Sequence, residues 1–376
     1  MIDPDHLIAQ RARAIDASGI RKVFDLAASI KNPINLSIGQ PDFDVPEPIK
    51  AAAAEAIAAG KNSYTVTQGI PPLHQSVRAR FDARFQRDGR WNDYGTLITS
   101  GVSGALLLAL MATIDAGDEV LIGDPYFVMY KHLATMAGGK PVFIDTYPDF
   151  KLTADRVAPH ITDRTKVLLI SSPSNPTGVV TPDETWRGLV ELCESRGILL
   201  ISDEIYDVFH YAGECPCPAA FSDQLLVLRG FSKTYAMTGW RLGYAIGPRA
   251  IIEQMTKLQQ YTFVCAPSMV QQAGLAAMDV DMSEYVASYA AKRDRVIEKL
   301  SPHFELATPG GAFYAFPKVP TDETATEFVK RAIARELLII PGNVFSERDT
   351  HFRISYACAD DTLDRGLDLL IELAGG

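Results

Sequence analysis

Hydrophobic residues in the first two thirds of the chain gather in short runs, and most of these runs are uninterrupted rather than alternating with polar residues. Because a strand covered on both faces is apolar on both, such runs predict the strands of a buried, largely parallel sheet. The runs lie at 96–99, 119–122, 141–144, 167–170, 198–202, 225–228 and 242–246. Helical patterns separate several of them, at 104–114, 129–137 and 182–195. The alternation predicts an α/β domain, preceded by helices at 51–59 and 72–86.

The pattern changes after about residue 275. Long helical segments at 283–300, 325–334 and 361–373 then alternate with short strand-like runs at 312–315 and 352–355. This arrangement predicts a second, smaller α+β domain, which a helical N-terminal arm and a short strand at 35–39 are expected to complete. The expected division is 1–44 for the arm and part of the small domain, 45–275 for the large domain and 276–376 for the small C-terminal domain.

Composition narrows the range of partners. The 376 residues carry a formal net charge of −10, which argues against nucleic acids and anionic membranes as partners. No apolar run approaches the roughly 20 residues of a membrane helix, and the N-terminus lacks the order of a signal peptide. The five cysteines form no disulfide framework and the histidines are scattered. A cytoplasmic protein without a metal site is expected.

One lysine and one arginine suggest the chemistry. Lys233 follows the apolar run at 225–228, and Arg241 lies eight residues further on, between two glycines. A lysine at a strand end can be desolvated, lose its proton and attack an aldehyde, and an arginine suits a phosphate dianion. Pyridoxal phosphate carries both groups. Alternatively, both residues are ordinary surface charges in a loop.

Three further polar or aromatic residues also follow predicted strands, namely Phe127, Asn175 and Asp203. Ligands of open α/β sheets bind outside the carboxyl ends of the strands, so these residues are expected near Lys233. A buried Asp203 facing a pyridine nitrogen would keep that nitrogen protonated, and Tyr206 could bind the phenolate oxygen of the ring. Alternatively, Asp203 caps a helix and Tyr206 belongs to the core.

Other segments offer groups for anions. The turn at 101–103 joins a strand to an apolar helix, so its N–H groups can face a phosphate, although Ser103 can also be a plain helix cap. Asn175, in the turn at 172–178, can offer its amide to a ring oxygen or a carboxylate, or simply shape the turn. Arg353 lies within an apolar strand-like run and either pairs structurally or binds a ligand carboxylate.

Taken together, these segments resemble the class I/II pyridoxal-phosphate-dependent aminotransferases of fold type I, the aspartate aminotransferase superfamily. The resemblance runs from 36–43 to 352–356 and rests on the ordered set Asn-Pro-x-Gly, Asp-Glu-x-Tyr, Ser-Lys-x-x-x-Met-x-Gly-x-Arg-x-Gly and a late arginine. It implies a large domain with a mostly parallel sheet flanked by helices, plus a smaller α+β domain. It also implies transfer of an amino group between an L-amino acid and a 2-oxo acid.

The resemblance implies a role for each matched residue around the cofactor ring. Lys233 is similar to the lysine that forms the Schiff base with pyridoxal phosphate, and Asp203 to the partner of the pyridine nitrogen. Tyr206 and Asn175 match the pair that binds the phenolate oxygen. Phe127 matches the aromatic residue that stacks on the ring.

The resemblance assigns the remaining residues to the two anionic groups and to a partner subunit. The residues that match the phosphate cradle are Gly101, Val102, Ser103, Ser232 and Arg241. Arg353, helped by Gly39 and Asn175, matches the fork for the substrate α-carboxylate. Tyr64 resembles the tyrosine that reaches the phosphate of the partner subunit, which implies a homodimer with shared active sites. Gly230 departs from the pattern, because several relatives carry a phosphate-binding serine there.

The sequence leaves other functions to weigh. A carbon–sulfur lyase of the same fold needs the same lysine, aspartate and arginine, so the residues separate it poorly from an aminotransferase. A cofactor-sensing domain of a transcription regulator would need a DNA-binding region, for which no room is expected before residue 30. A nicotinamide reductase is disfavoured, because Tyr147 and Lys151 match its dyad only by chance spacing and no glycine fingerprint is present.

An enzyme specific for dicarboxylic amino acids needs, besides Arg353, a second cation that pairs with the side-chain carboxylate of the substrate. Arg21 and Lys22 in the arm are the only near candidates, and both are expected to be solvated. The expected neighbours of the substrate side chain, Ile20, Phe127 and Val264, are apolar. The sequence therefore predicts a preference for neutral or aromatic amino acids.

Overall fold

A seven-stranded sheet forms the centre of the larger part of the molecule. The computed structural model describes residues 3–16, 19, 30, 32–86 and 89–375. The strands are β1 (Ile34–Asn35), β2 (Tyr94–Thr99), β3 (Glu119–Asp124), β4 (Lys140–Asp145), β5 (Thr165–Ser171), β6 (Leu199–Asp203), β7 (Leu225–Gly230), β8 (Gly243–Pro248), β9 (Tyr314–Ala315), β10 (Leu337–Leu338), β11 (Ile340–Pro341) and β12 (Phe352–Ser355). The order in the large sheet is β2-β8-β7-β6-β5-β3-β4.

All strand pairs of this sheet are parallel except those of β8, which runs antiparallel to both β2 and β7. Each of the seven apolar runs of the sequence forms one of its strands. The predicted fold class, a mostly parallel sheet flanked by helices, is therefore confirmed.

Helices surround the sheet and build the smaller part of the molecule. The α-helices are α1 (Gln10–Arg13), α2 (Glu47–Ala58), α3 (Pro71–Phe85), α4 (Gly101–Thr113), α5 (Met129–Met136), α6 (Ala154–Val157), α7 (Asp183–Arg196), α8 (Arg249–Thr262), α9 (Ser268–Ala277), α10 (Ser283–Leu300), α11 (Ala325–Ala334) and α12 (Asp360–Leu373). Short 3₁₀ turns lie at Pro4–Leu7, Ala158–His160, Asp207–Phe209, Pro218–Ala220, Thr238–Trp240 and Gly342–Val344. Over the described ranges, no helix is long and apolar enough to cross a membrane.

Separate hydrophobic cores lie on the two faces of the sheet, which explains why its strands are apolar throughout. The consecutive residues Leu168 and Leu169 of β5 belong to different cores. One core contains Trp186 of α7, and the other contains Leu106 of α4. Since successive side chains of a strand point to opposite faces, each face is covered by a helical layer.

Two long helices, α8 and α9, were not predicted from the sequence, and neither was the four-residue helix α6. Each long helix carries a glutamine that is fully buried, Gln259 in α8 and Gln271 in α9. Gln259 Nε2 donates to the carbonyls of Thr67 and Ile98, and Gln271 Oε1 accepts from the N–H of Ile70 at 2.7 Å. Polar residues at core positions weaken the apolar periodicity from which helices are predicted.

The smaller part of the fold combines an antiparallel sheet, in the order β11-β12-β9, with helices α10 to α12. The strand β1 pairs in parallel with β10, and Leu36 belongs to the same core as Ile354 and Leu367. The antiparallel pairing β12–β9 places Arg353 within two residues of Tyr314 in the sheet register. The domain limits near 44 and 275 stay a prediction.

Candidate active site

A cavity of about 320 Å³ opens at the carboxyl ends of the large sheet, where the smaller part of the molecule approaches. Its lining includes most of the residues singled out in the sequence: Gly39, Val102, Ser103, Phe127, Asn175, Asp203, Tyr206, Ser232, Lys233, Arg241 and Arg353. These residues come from segments far apart in the chain. Their meeting in one cavity is what the rule for open α/β sheets predicts.

Lys233 lies in the loop after β7, where its Nζ donates a hydrogen bond to the carbonyl of Gly39 at 2.7 Å. Burial lowers the pKa of Lys233 from the ordinary 10.5 to about 8. The positive charges of Arg353 and Arg241 act in the same direction, whereas Asp203 opposes them. A neutral, nucleophilic amine is therefore well populated at slightly alkaline pH.

Asp203 ends β6 and is 3% exposed. Its Oδ2 accepts a hydrogen bond from the hydroxyl of Tyr130 at 2.8 Å, and its Oδ1 accepts from the N–H of Ile205 at 3.2 Å. Burial raises the pKa of Asp203 to about 6, and these two hydrogen bonds oppose the rise. A cationic group placed against this carboxylate would compensate for its lost hydration.

Tyr130 is a site residue that the sequence analysis missed. It lies three residues after Phe127 at the start of α5, and the two rings meet edge to face at 5.6 Å. The three-residue spacing was an available signal, because the turn that leads into α5 bonds the Tyr130 N–H to the Phe127 carbonyl at 3.0 Å and so brings the two side chains together. Tyr130 fixes the orientation of the Asp203 carboxylate.

A buried ion pair behind the cavity was also missed. Nε and Nη2 of Arg229 both donate to Glu204 Oε2, at 2.9 and 2.7 Å, and the Ser202 hydroxyl donates to Glu204 Oε1 at 2.9 Å. Glu204 directly follows Asp203, and Arg229 lies on β7 shortly before Lys233. The pair therefore ties together the ends of the two strands that carry the catalytic candidates.

The turn at 101–103 forms the first turn of α4, since the helix begins at Gly101. The first N–H groups of a helix have no acceptor within it, and the Ser100 side chain does not cap them. Arg241 lies beside them, with its Nη2 donating to Ser103 Oγ at 2.6 Å and its Nη1 to the Thr238 carbonyl at 3.0 Å. Positive charge and unpaired donors together make a site for an anion such as phosphate.

One glycine is required by this arrangement, and a second lies in a tight space. Gly101 has a φ of +72°, and a β-carbon there would lie 2.5 Å from Nη2 of Arg241. At Gly230, where the family resemblance leads to the expectation of serine, a β-carbon would lie 2.9 Å from Ile205 Cδ1 and 3.0 Å from Val102 Cγ2. Both atoms are ends of side chains, so a larger residue there would need a small shift of these neighbours, and Ser232 is a hydroxyl that lines the cavity.

Arg353, on β12, is 1% exposed. Its Nη1 donates to Asn175 Oδ1 and its Nη2 to the Ser37 carbonyl, each at 2.9 Å, while its Nε is buried without a partner. Over the described parts of the chain, no carboxylate lies within ion-pair distance of it. A buried guanidinium without a counter-ion, at the wall of a cavity, suits a ligand carboxylate.

Three of the expected site residues, Gly101, Tyr64 and Val264, lie outside the cavity lining, although Gly101 directly precedes Val102, which lines it. Tyr64 is 84% exposed in the loop before α3, and Val264 is 40% exposed just after α8. Ile20, Arg21 and Lys22 lie outside the described residues. Of the expected neighbours of the substrate side chain, Phe127 lines the cavity.

The chain is similar to known aminotransferases over nearly its whole length. The family model described as aminotransferase class I and II matches residues 31–370. A "Probable aspartate aminotransferase" of Methanocaldococcus jannaschii is 37% identical, over 98% of this chain and 100% of the relative. "Aromatic-amino-acid aminotransferase 2" of Thermococcus litoralis is 34% identical, over 96% of each chain.

Solved structures agree with the sequence comparison. An aspartate aminotransferase of Thermotoga maritima superposes with a TM-score of 0.92 and 31% identity, covering 98% of this chain and 100% of its own. The names of these relatives point to acidic substrates in two cases and to aromatic substrates in the third. Similarity to them leaves the preferred amino acid of this chain open.

Proposed function

The chain belongs to the class I and II aminotransferases, and on that premise we propose that it moves an amino group between an L-amino acid and a 2-oxo acid with pyridoxal phosphate held at Lys233. The observation that carries the proposal is the meeting of a half-buried lysine, a buried carboxylate and two arginines in one cavity. Each of these side chains matches a chemical group of the cofactor or of an amino acid. The test is whether the protein loaded with pyridoxal phosphate converts an L-amino acid to its 2-oxo acid, with a change in cofactor absorption and without release of ammonia.

The residues present fit pyridoxal phosphate. The first turn of α4 and Arg241 would hold its phosphate, because a β-carbon at Gly101 would fill that cradle. Asp203 would hold the protonated ring nitrogen, which supplies the cation that its buried carboxylate lacks. Phe127 would cover one face of the ring, and Tyr206 would donate to its phenolate oxygen.

The cofactor, when bound, supplies an aldehyde and a ring that withdraws electrons from the substrate α-carbon. The side chains of this protein do the remaining work. Arg353 would hold the α-carboxylate and so orient the substrate in the cavity that Lys233 also lines. Nζ of Lys233, whose pKa is lowered to about 8, removes the α-proton. Asp203, as a carboxylate above pH 6, keeps the ring nitrogen charged.

We propose a preference for neutral or aromatic side chains, supported by the charges of the cavity. The cations in its described lining are Lys233, Arg241 and Arg353, and each already has a partner group in the cofactor or the α-carboxylate. Apolar residues such as Ile38, Leu106 and Met129 make up much of the remaining wall. A distal carboxylate would enter without a counter-ion, which is costly.

Single-turnover rates are therefore expected to be higher with phenylalanine, methionine or alanine than with aspartate. Each well-fitted apolar group contributes about 1–3 kcal/mol. The measurement is stopped-flow absorbance of the bound cofactor with each amino acid. Rates with aspartate more than about tenfold above those with the other three would contradict the preference. Arg21→Gln and Lys22→Gln would then identify the cation responsible.

We also propose a homodimer in which Tyr64 completes the active site of the partner subunit. Tyr64 and Val66 are exposed on the loop before α3, and Tyr261 of α8 is 86% exposed. Gln259 and Gln271 hold this loop against α8 and α9, by hydrogen bonds from their Nε2 atoms to the Thr67 carbonyl and the Thr65 hydroxyl. Large exposed apolar side chains on one face suit an interface with a second copy.

Mixing two inactive variants, Tyr64→Ala and Lys233→Ala, should restore activity. In a hybrid dimer one active site receives both defects and the other receives none. About half of the dimers are hybrids after random exchange, so about a quarter of wild-type activity is expected. Activity assays after unfolding and refolding the mixture measure this recovery. A fully active monomer, or no recovery in a mixture proven to contain hybrids, would contradict the shared site.

A cytoplasmic location is proposed as well. All five cysteines are free, and Cys193, Cys215 and Cys217 are buried. Unpaired thiols persist in reducing compartments, whereas oxidising compartments favour disulfides.

A further inference from the structure

A second tyrosine hydroxyl lies in the cavity, directly against Tyr206. Tyr314, on β9, is 1% exposed, and its Oη is 2.8 Å from Oη of Tyr206. The two rings meet edge to face, with centroids 5.6 Å apart. Both tyrosines line the cavity. Tyr206 was singled out in the sequence, whereas Tyr314 carried no motif.

The direction of this hydrogen bond decides what Tyr206 can do. A hydroxyl has one proton, so Tyr206 donates either to Tyr314 or to a group in the cavity, but not to both. When Tyr314 is the donor, the proton of Tyr206 is free to point into the cavity. A hydroxyl that accepts one hydrogen bond is also a stronger donor in the next, because successive bonds polarise each other.

The surroundings of Tyr314 favour it as the donor. The guanidinium of Arg353 lies 4.5 Å from the centre of its ring. A nearby positive charge draws electron density from the phenol and makes its hydroxyl more acidic. In agreement, the charge of Arg353 is the main influence that opposes the rise that burial causes in the pKa of Tyr314. At Tyr206, burial also raises the pKa, and there the same charge matters less than the neighbouring Tyr314 hydroxyl, which raises the pKa further.

Gly39 lies beside the hydroxyl of Tyr314. A β-carbon at Gly39 would lie 2.9 Å from Oη of Tyr314, and the carbonyl of the same residue accepts the hydrogen bond of Lys233. The absence of a side chain at Gly39 therefore leaves the space that the Tyr314 hydroxyl occupies next to Tyr206.

We propose that Tyr314 is a positioning residue, which donates its hydroxyl proton to Tyr206 and thereby directs the Tyr206 hydroxyl at the phenolate oxygen of the cofactor. The assignment rests on the proposed function, because it concerns the bound cofactor. Tyr314 also connects the carboxylate site with the cofactor ring. Its ring contacts Arg353, which would receive the α-carboxylate, and its hydroxyl acts on the cofactor through Tyr206. Tyr314 thus acts on the cofactor without being the residue that contacts the phenolate.

The test is a pH titration of the absorption of bound cofactor in four proteins: wild type, Tyr314→Phe, Tyr206→Phe and the double variant. A donor to the phenolate favours its anionic form, so losing the donor raises the pH of the spectral transition. Tyr314→Phe should raise it by about 0.5–1 pH unit, as expected for one neutral hydrogen bond. Tyr206→Phe should raise it further, and the double variant should match Tyr206→Phe alone.

Kinetics should separate the hydroxyl of Tyr314 from its ring. Phenylalanine keeps the ring against Arg353, so the KM for the amino acid should stay within about twofold of wild type while kcat falls about 3- to 10-fold. Tyr356→Phe is the matched control, because Tyr356 is fully buried in the same core and donates weakly to the Ala312 carbonyl at 3.3 Å. It lies outside the cavity lining and should leave the spectral transition unchanged.

The assignment is overturned if Tyr314→Phe titrates like wild type, or if its shift adds in full to that of Tyr206→Phe. Additive shifts would mean that Tyr314 does not act through Tyr206. Failure of the proposed function looks different, because the wild-type protein would then take up no pyridoxal phosphate. That result would refute both.

Discussion

Replacement of Lys233 with alanine is expected to abolish turnover, with a loss in kcat well beyond the roughly 10²–10⁴-fold that one positioned acid–base group contributes. The larger loss is expected because, in the proposed function, the same amine both holds the cofactor and removes the α-proton. Borohydride reduction of the wild type, followed by peptide mass spectrometry, should find the pyridoxyl group on Lys233. Lys330→Ala is the matched control, since Lys330 is an exposed lysine of α11.

The pH dependence of cofactor uptake is an independent test of the role of Lys233. Only the neutral amine attacks an aldehyde, and burial lowers the pKa of Lys233 to about 8. Uptake by the cofactor-free protein should accelerate as the pH rises towards 8 and level off above it. Stopped-flow absorbance measures the rate. A reduced adduct on a different lysine, or a rate that climbs steadily beyond pH 9, would contradict the assignment.

Arg353→Gln is expected to give the second largest effect, a fall in kcat/KM for amino acids of about 30- to 5,000-fold. The guanidinium is buried, and its only described hydrogen-bond partners are the neutral groups of Asn175 and Ser37. A substrate carboxylate would be its counter-ion, and removing the arginine would leave that carboxylate unpaired in the cavity.

The specificity of the loss can be checked with a substrate that has no carboxylate. The measurement compares kcat/KM for the best amino acid with kcat/KM for the corresponding amine. In Arg353→Gln the first should fall and the second should change by less than about threefold, so their ratio collapses. Arg335→Gln is the control, because Arg335 is exposed and pairs with Glu372 at the surface. An equal loss for both substrates would indicate damage to the fold or to cofactor binding instead.

The sequence predicted those features that depend on local patterns. Each apolar run forms a strand that is buried on both sides, because helices cover both faces of the sheet. The residues that follow the parallel strands lie together at one edge of the sheet, as expected for open α/β sheets. Asp203 and Lys233 were found in this way, and Arg241 from its place between two glycines shortly after Lys233. Their roles were implied by the family resemblance, which the matched family model confirms at the level of the family.

Contacts between distant segments were beyond the reach of the sequence. Tyr130 lies 73 residues from Asp203, and Tyr314 lies 108 residues from Tyr206. The local sequence around each tyrosine does not show that its hydroxyl has a role in the site. Each ring is buried like any core side chain, and only the hydroxyl contacts a polar partner. Arg229 was missed for a related reason. In the sequence it is one charged residue at the end of an apolar strand, and its partner Glu204 is distant in the chain.

The most direct test of the account is one half-reaction of the wild-type protein, loaded with pyridoxal phosphate and mixed with a panel of L-amino acids without any 2-oxo acid. For at least one amino acid, the cofactor absorption should change completely while about one equivalent of 2-oxo acid is released per chain and no ammonia appears. Adding a 2-oxo acid should then restore the original spectrum. Continuous release of ammonia with a 2-oxo acid, without any acceptor, would contradict the aminotransferase and indicate a lyase.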